Sequence, residues 1–554
     1  MRRKHWEKVF SLLLVLVMVV SLTSCGEKKA DSKASNGHVD NLIIGSYGEN
    51  TVFNMQTQSD VFGKMNYNGF TQGNFVYRDE KGELKPYFWK SFKISEDGKQ
   101  IDFTYPTTAK WHDGEPVTDD DIVFTFDYMK NVKKVGSLEN LESCKITGEG
   151  EATLTFSKPD AYLWLNSSVS NTACVYPKHI WEGVEDYEEF NKPEAAIGCG
   201  PYKLVSHDAE SQTSVYEAVP ENNFLGDILV DKVTVRSFQN PESLMMAMDR
   251  GEIDAMYAYS KPIDATVMDS FIGKEGLDIG ESDYSGHYQL TYGMERKPGS
   301  DIEFRKAVRS ALDYDKLASV INGKYGKAPG SGIISPTCRG FDESLPTLSR
   351  DLDKANSILD KAGYVDADGD GFRDMPDGSK LDVMVTPQFS KDQEILQRIA
   401  DTIMAALKDV NIKSHIDQDS LRNGEVWEAN IQDGKYDLSI GYTTSGMAEY
   451  TSAFRYFIAD PRFEGEQTWI WGTYHNDDFT NTYYTMEAAT NDDEYIKGIK
   501  KLQKMADEDV FAQALCWQKA FFPYRTDKYE GWTNIPSWGV VNCETWYNVH
   551  PISK

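Results

Sequence analysis

The stretch IDFTYPTTAKWHDGEPVTDDDIVFTFDY, residues 101–128, predicts a strand, a tight turn and the start of a helix. Ile101, Phe103 and Tyr105 alternate with polar residues, which is the period of a half-buried strand. An Asp-Gly pair ending at Gly114 marks the turn, because both residue types tolerate positive φ. The Trp-His-Asp triplet just before this glycine is interpreted as packing within the turn.

The second half of the stretch carries the signals of a helix N-terminus. Thr118 followed by Asp121 has the spacing of a capping box, in which each side chain binds the other residue's backbone N–H. The three carboxylates at 119–121 suit the positive end of a helix dipole. Ile122 and Phe126 then fall on one helical face. A helix that begins after Thr118 and buries this face is therefore predicted.

The bulk composition excludes several classes of protein. A chain of 554 residues is too long for a single core, so several domains are expected. With 40% hydrophobic and 26% charged residues the chain is predicted to be globular and not disordered. Its net charge of −29 argues against a nucleic-acid partner, since phosphate backbones require a basic face.

The first residues have the pattern of an export signal. Basic residues precede an apolar run at 9–22, which is too short to span a bilayer comfortably and fits a signal peptide. The run ends in Leu-Thr-Ser-Cys, which resembles a bacterial lipobox and predicts lipidation, including palmitate, of Cys25. A plain signal peptide with an incidental cysteine is the alternative. The polar residues 26–38 are predicted to form a flexible tether, so the expected location is the outer face of the cell membrane.

Five short motifs occur in one order along the chain. They are ELKP (83–86), SEDGK (95–99), the stretch 101–128, GCGPYKL (198–204) and GEIDA (251–255). Together they resemble the family 5 extracellular solute-binding proteins, the peptide- and nickel-binding receptors of ABC importers. The glycines of GCGPYKL are expected to supply φ freedom for a sharp turn, and its cysteine departs from the Thr or Ser usual in the family.

The resemblance implies an α/β, two-lobed periplasmic-binding-protein-like (class II) fold with an extra strand-rich subdomain inserted in the first lobe. Strand and helix patterns that alternate through the chain agree with α/β lobes. The implied segments are the signal peptide (1–24), the lipidated cysteine and tether (25–40), lobe I (41–62, 195–288 and 516–554), the inserted subdomain (63–194) and lobe II (289–515).

The first candidate ligand residues follow the first predicted strand, residues 42–45. Ligands of α/β proteins gather outside the carboxyl ends of strands, which makes Tyr47 and Glu49 site candidates. Exposed loop residues without a role are the competing interpretation.

A second candidate region, residues 441–471, is rich in aromatic residues, which offer large apolar contact with a polar handle. Peptide-binding members carry an aspartate after the strand that ends here near Ile440, and it pairs with the amino terminus of the peptide. This chain has no acidic residue there before Glu449, so either Glu449 substitutes or the ligand lacks that group. The candidates in this region are Tyr442, Glu449, Arg455, Trp469 and Trp471. Packing of the two tryptophans in a core or a loop is the competing interpretation.

The segment DADGDGFRDMPD (366–377) matches the beginning of an EF-hand-type calcium loop, with carboxylates at positions 1, 3 and 5 and glycine at 6. A structural Ca²⁺ and an unoccupied acidic turn are both compatible with it, and no other cofactor is expected. The predicted ligands are Asp366, Asp368, Asp370, Phe372, Asp374 and Asp377.

The implied function is capture of a solute, an oligopeptide in the first instance, between two lobes that close about a hinge, and its delivery to ABC permease subunits by a monomeric receptor. A peptide-pheromone signalling receptor and a receptor for a sugar or metal chelate remain alternatives. A surface hydrolase is a further one, although the HExxH, GxSxG and Walker motifs of enzymes are absent from the sequence. Six cysteines besides Cys25 permit disulfides without demanding them.

Overall fold

The computed structural model describes most of the chain after the first 36 residues. Within these residues, Val39–Lys554 is assigned to one compact unit. Among the described helices, none has the length and apolarity needed to cross a membrane. The described residues are 37–50, 53–54, 65, 69–167, 173–257, 265–390, 393–444, 451, 453–459, 472–536 and 538–553.

Strands and helices alternate along the described chain. In order the strands are β1 (Leu42–Tyr47), β2 (Val76–Arg78), β3 (Leu84–Pro86), β4 (Ser91–Ile94), β5 (Gln100–Thr104), β6 (Leu141–Gly148), β7 (Glu151–Phe156), β8 (Tyr202–Asp208), β9 (Thr213–Ala218), β10 (Lys232–Phe238), β11 (Ala255–Met256), β12 (Leu277–Asp283), β13 (Gly286–Tyr292), β14 (Asp382–Pro387), β15 (Lys413–Ile416), β16 (Leu438–Thr444), β17 (Ala512–Ala514), β18 (Lys519–Arg525), β19 (Tyr529–Glu530) and β20 (His550–Pro551). The helices are α1 (Asp119–Asn131), α2 (Ala161–Asn166), α3 (Lys178–Trp181), α4 (Pro241–Asp249), α5 (Ala265–Met268), α6 (Ile302–Ala311), α7 (Tyr314–Asn322), α8 (Leu352–Ala362), α9 (Gln393–Lys408), α10 (Gln418–Arg422), α11 (Gly424–Gln432), α12 (Asp477–Glu487), α13 (Asp492–Asp509) and α14 (Thr545–Asn548).

Three larger sheets organise these elements. Sheet A has seven strands in the order β12-β18-β11-β1-β10-β9-β8, and sheet B has five in the order β15-β14-β16-β13-β17. Sheet C has four strands, β4-β5-β7-β6, all antiparallel. Sheets A and B mix parallel and antiparallel pairs and carry helices, which confirms the predicted α/β class.

The three sheets have separate hydrophobic cores. One buried cluster packs on sheet A, and a second fills the space between sheet C and α1. Sheet B has two clusters, which include side chains of α6 and α9 in one case and of α12 and α13 in the other. We call these parts body A (sheet A), body B (sheet B and α6 to α13) and subdomain C (sheet C with α1 and α2). The boundaries of the two lobes and the insertion given above stay predictions.

The predicted capping box at the start of α1 is confirmed. The Thr118 hydroxyl accepts a hydrogen bond from the Asp121 backbone N–H at 3.4 Å, and the Asp121 carboxylate accepts one from the Thr118 N–H at 2.8 Å. Ile122 and Phe126 are buried against sheet C, as the helical pattern predicts. The same Asp121 carboxylate also accepts from the Lys178 N–H at 2.9 Å, so it joins α1 to α3.

His112, in the turn before α1, connects two of the sequence motifs. Its backbone N–H donates to the Gly198 carbonyl at 3.0 Å, and its ring nitrogens lie 3.3 Å from the Gly198 nitrogen and 3.0 Å from the Gly200 oxygen. Burial lowers the pKa of His112 to about 4, so the ring is neutral and can accept from one glycine while donating to the other. The turn-packing interpretation of the Trp-His-Asp triplet agrees with these contacts.

The expected reason for the two glycines at this contact was wrong. Among the described residues, those with positive φ include neither Gly198 nor Gly200. Each glycine instead lies against the backbone of Thr71, where a Cβ on Gly200 would come within 2.6 Å of the Thr71 carbonyl carbon. Close approach of two backbones, and not a left-handed turn, excludes a side chain here.

The structure describes six cysteines, and five of them are buried. Burial raises the pKa of Cys144 and Cys516 to about 12, which keeps both in the protonated, unreactive form. Each of these cysteines therefore packs as a small apolar residue.

Candidate functional site

Two neighbouring chain crossings join body A to body B. The chain passes from β12 into β13 through residues 284–285 and returns from β17 into β18 through residues 515–518. The crossings are hydrogen-bonded to each other, because the Tyr284 N–H donates to the Gln518 carbonyl at 3.0 Å and the Leu515 N–H to the Tyr288 carbonyl at 2.9 Å. A pair of adjacent strands is a connection about which two bodies can rotate with small changes of backbone angle.

A second contact joins subdomain C to body B at the start of α13. Tyr162 of α2 donates a hydrogen bond to the Asp492 carboxylate, and Arg339 of body B forms an ion pair with the same carboxylate. Tyr162 and Leu163 also pack, partly buried, against the core beside α13. A groove of about 760 Å³ opens here, and its lining includes Glu83, Phe92, Glu96, Arg339, Asn491 and Asp492. Body B is thus held at the two crossings and again at subdomain C.

Tyr442 lies between the cores of the two bodies. Its partly buried ring packs against the core of sheet A and against the core of sheet B, with its centroid 5.1 Å from that of Tyr288. It belongs to β16 and does not follow it, because this strand extends to Thr444 and not to Ile440 as the sequence pattern suggested. The Tyr442 N–H donates to the side-chain oxygen of Gln388 at 2.8 Å, which connects the carboxyl ends of β14 and β16. This candidate residue therefore lies where a solute could contact both bodies.

Tyr47 and Glu49 lie at the carboxyl end of β1 in body A. Tyr47 is the last residue of the strand and packs, half-buried, against the core of sheet A, whereas Glu49 is exposed two residues later. Tyr47 and Tyr442 thus pack against the same core from different bodies. Glu49 contributes a carboxylate at the surface near this strand end.

Arg455 lies in a short helical turn of body B. It is half-buried, and its guanidinium lies 5.8 Å from the ring centroid of Tyr456. Burial raises the pKa of Tyr483 in α12, and the positive charge of Arg455 opposes this rise. The other predicted residues of this region, Glu449, Trp469 and Trp471, and the predicted lipidation site Cys25 lie outside the described residues, so these assignments stay predictions.

The acidic segment 366–377 folds into a turn around its own backbone. Asp366 accepts from the Gly369 and Gly371 N–H groups at 2.7 and 3.0 Å, and Asp374 accepts from the Ala367 N–H at 3.0 Å. Carboxylate oxygens of Asp366, Asp368 and Asp374 lie within 4.8 Å of one another. This spacing fits three of the six predicted ligands to one cation.

The remaining members of that predicted set have other contacts. The Lys380 ammonium forms ion pairs with Asp368, with Asp370 at 2.8 Å and with Asp374 at 3.4 Å, and these hydrogen bonds raise the pKa of Lys380. Asp377 accepts from the Ser379 N–H and hydroxyl at 3.0 and 2.6 Å, and the Phe372 N–H donates to Asp370. A calcium ion would therefore compete with a lysine, and calcium binding stays a prediction.

One feature of body B was missed by sequence reasoning. In β13, the alternate residues His287, Gln289 and Thr291 are buried on the face of sheet B opposite to the Tyr288 and Leu290 core. A polar residue at every second position of a strand normally marks a solvated face. The available signal was the sequence HYQLTY, in which both alternating sets are large but only one is apolar.

Comparison with known proteins places this arrangement in a family. The sequence profile described as "Bacterial extracellular solute-binding proteins, family 5 Middle" matches residues 83–463. The oligopeptide-binding protein AppA of Bacillus subtilis (strain 168) is 24% identical over 572 residues, which cover 99% of each chain. The dipeptide-binding protein of Escherichia coli (strain K12) is 22% identical over 60% of this chain and 63% of its own.

Solved structures share the fold over almost the whole chain. AppA from Bacillus subtilis in complex with a nonapeptide has a TM-score of 0.69 at 21% identity, over 93% of this chain and 99% of AppA. NikZ from Campylobacter jejuni in complex with Ni(L-His) has a TM-score of 0.71 at 20% identity, over 92% of this chain and 99% of NikZ. A periplasmic oligopeptide-binding protein of Thermotoga maritima bound to mannohexaose has a TM-score of 0.69 at 18% identity, over 93% of this chain and 99% of its own.

These matches confirm the resemblance carried by the five sequence motifs and the periplasmic-binding-protein fold that it implied. The profile alone spans more than half of the chain. The chain belongs to the family 5 bacterial extracellular solute-binding proteins.

Proposed function

We propose that this protein is the receptor of an ABC importer and captures an oligopeptide between bodies A and B by hinge closure. The observation that carries the proposal is the pair of adjacent crossing strands, with Tyr442 packed between the two cores. AppA, which matches 99% of the chain, is named for oligopeptide binding. A ligand drives closure by binding the closed form more tightly than the open one.

The proposal is tested by native mass spectrometry of the protein purified from its own cells. Bound oligopeptides, released on denaturation, would support it. A sugar, a metal chelate or an empty protein would contradict the peptide assignment. The complexes of the structural neighbours with Ni(L-His) and with mannohexaose are the specific reason to keep a non-peptide solute as the second candidate.

The receptor is proposed to act without turnover of its ligand. Intact solute recovered after prolonged incubation would support a binding role, whereas cleavage products that accumulate with time would favour the hydrolase alternative. Uptake by cells that lack the protein separates nutrient import from pheromone signalling. A loss of uptake supports delivery to a permease, and a loss of a transcriptional response with normal uptake supports signalling.

The mature protein is proposed to be a lipid-anchored monomer on the outer face of the membrane. Labelling of cells with a palmitate analogue would mark the wild-type protein and leave Cys25→Ala unmarked if Cys25 is lipidated. A detergent-free domain that begins at residue 39 is expected to elute at the mass of one chain. A label that persists in the variant, or a dimer, would contradict the proposal.

Structural calcium in the loop 366–377 is a separate proposal, supported by the approach of three carboxylates. It predicts calcium in the purified protein by elemental mass spectrometry and a lower melting temperature after chelation. An unchanged melting temperature together with no bound calcium would remove it.

A further inference from the structure

The inner strand of sheet B has one apolar and one polar face. Residues of β13 alternate, and Tyr288, Leu290 and Tyr292 pack into the core that includes α6 and α9. Their neighbours His287, Gln289 and Thr291 point to the other side of the sheet. Both sets are at most 9% exposed, so the polar set is buried as deeply as the apolar one.

This polar face continues across the neighbouring strands. The residues paired with Gln289 are Gly441 of β16 and Ala514 of β17, which have almost no side chain. Further along β16, Ser439 and Thr443 share the face, and both are buried. Small side chains on either side leave the Gln289 amide as the largest group in the middle of this face.

The face is uncharged as well as polar. Its residues on β13 and β16 include no carboxylate, lysine or arginine. His287 is its titratable group, and burial lowers its pKa to about 4, which keeps the ring neutral at physiological pH. A charged group placed here would have no partner of opposite sign on these two strands.

Gln289 itself lacks hydrogen bonds. Both its side-chain oxygen and its side-chain nitrogen are buried, and neither has a partner among the residues that the structure describes. The hydroxyl of Thr291, two residues along on the same face, is also without one. Buried polar groups are nearly always paired in folded proteins, so these three orphaned atoms, two residues apart on one face, point to a partner that is not part of the chain.

Gln513 provides the comparison within the same sheet. It lies on the opposite face of β17, and its amide donates to the Tyr314 hydroxyl at 2.9 Å and accepts from the Tyr292 hydroxyl at 3.3 Å. A buried glutamine that serves only the fold thus has both of its polar atoms paired. Gln289, in contrast, has neither of its side-chain polar atoms paired.

The location of Gln289 suggests what its partner is. It is three residues from Gly286, where β13 begins after the crossing from body A, and its neighbour on β16 directly precedes Tyr442. The orphaned amide therefore lies close to the hinge, on the face of sheet B opposite to the one that carries the Tyr442 ring. A solute held between bodies A and B is the group that could reach it.

We propose that Gln289 is a specificity-determining residue that donates a hydrogen bond to, and accepts one from, an uncharged amide group of the captured solute. In an oligopeptide this is a backbone peptide group or a carboxamide side chain, and Thr291 adds a third hydrogen bond. The inference rests on the proposed receptor function. It assigns to body B the recognition of neutral polar groups and excludes a charged terminus from this face.

The direct test is a crystal structure of the full protein purified from its own cells, with its co-purified solute. A solute nitrogen or oxygen within 3.5 Å of the Gln289 amide, the ordinary limit of a hydrogen bond, supports the inference. Only water or a protein group there, or a charged solute group, overturns it. If the solute is not a peptide but meets Gln289 through a neutral polar group, the peptide assignment fails while this inference stands.

A second test uses substitutions and a random-sequence nonapeptide library as the probe. Gln289→Leu is expected to lower retention of the library about tenfold, while its melting temperature stays equal to or above that of the wild type, because an unpaired amide is removed. The control Gln513→Leu is expected to melt at a lower temperature and to retain the library within about twofold. Unchanged retention with a lower melting temperature in Gln289→Leu would make the residue purely structural.

Discussion

The Tyr162 hydroxyl donates a hydrogen bond to the carboxylate of Asp492, a residue 330 positions further along the chain and in another body of the molecule. The contact joins α2 of subdomain C to the first turn of α13 in body B. Such a contact forms only when body B lies against subdomain C. It therefore stabilises the arrangement in which the two parts lie together, which the proposed hinge closure makes the closed form.

Removal of this contact is expected to weaken solute binding. Asp492→Asn retains the shape of the side chain but replaces the charged acceptor of the Tyr162 hydrogen bond with a neutral one, so the contact between subdomain C and body B loses up to about 1 kcal/mol. The dissociation constant should rise about two- to fivefold, measured by calorimetry with the co-purified solute. Small-angle scattering should show a larger radius of gyration for the unliganded variant.

The matched control is Asp493→Asn, because Asp493 is exposed on the same first turn of α13. It makes the same change near the helix N-terminus. Equal weakening in both variants would assign the effect to the helix dipole and would contradict a role for the contact between bodies.

Subdomain C should depend strongly on Asp121. Its buried carboxylate accepts the partly buried N–H groups of Thr118 and Lys178, so Asp121→Ala removes the acceptor of two backbone donors and half of the capping box. We expect a loss of about 3 kcal/mol in the free energy of unfolding, compared with about 1 kcal/mol for Thr118→Ala. Urea unfolding followed by tryptophan fluorescence measures both values.

Asp120→Ala is the control for that series, since the Asp120 side chain is 81% exposed in the same turn. Its effect should stay below about 0.5 kcal/mol, as for most surface substitutions. A similar loss in all three variants would contradict the capping argument.

Stability should fall in mild acid because of His287. Its pKa is about 4 in the folded protein, owing to burial, and near 6.5 in an unfolded chain. Between these values the unfolded state binds a proton that the native state does not, so the free energy of unfolding falls as the pH drops from about 6.5 to about 4. Above about 6.5 this contribution is independent of pH.

The free energy of unfolding, measured with urea at pH 7, 5.5 and 4.5, should fall more steeply with decreasing pH in the wild type than in His287→Gln. Carboxylates also titrate in this range, but they do so in both proteins. Identical slopes would mean that the imidazole is protonated in the folded state.

Lys380 is expected to control calcium binding in the acidic loop. Lys380→Met removes the ammonium that pairs with Asp368, Asp370 and the buried Asp374. Without calcium the variant should melt at a lower temperature than the wild type, because the carboxylates then repel one another. Added calcium should restore the melting temperature of the variant and change that of the wild type less.

Lys435→Met is the control, since Lys435 pairs with the exposed Asp433 just after α11. It should respond little to calcium. A Lys380→Met protein whose melting temperature is unaffected by calcium would show that the loop is an acidic turn and not a metal site.

Local signals in the sequence predicted local structure well. The capping box of α1 and its apolar face, with Ile122 and Phe126, depend on residues a few positions apart, and each forms as expected. The motifs of residues 101–128 and 198–204 were recognised separately. Their contact through His112 was not predicted, because it depends on how two distant turns pack.

The ligand site was harder to predict for the same reason. Tyr442 was singled out for its aromatic ring, but its place between two cores follows from the pairing of β16 with β13. Gln289 was not singled out, because its burial requires both faces of sheet B to be covered. Sequence spacing carries no information about which side chains remain unpaired once that packing is complete.

The position of β18 also constrains how the chain can fold. This strand, Lys519–Arg525, lies between β12 and β11, so β12 has no other neighbour in sheet A among the described strands. Sheet A is therefore incomplete until the chain has been made almost to its end, and its last strand pairs with segments more than 200 residues earlier. Such distant pairings form slowly. An exported chain that emerges from its N-terminus would acquire a working hinge only after nearly all of it has crossed the membrane, so capture of solute is delayed until translocation is nearly complete.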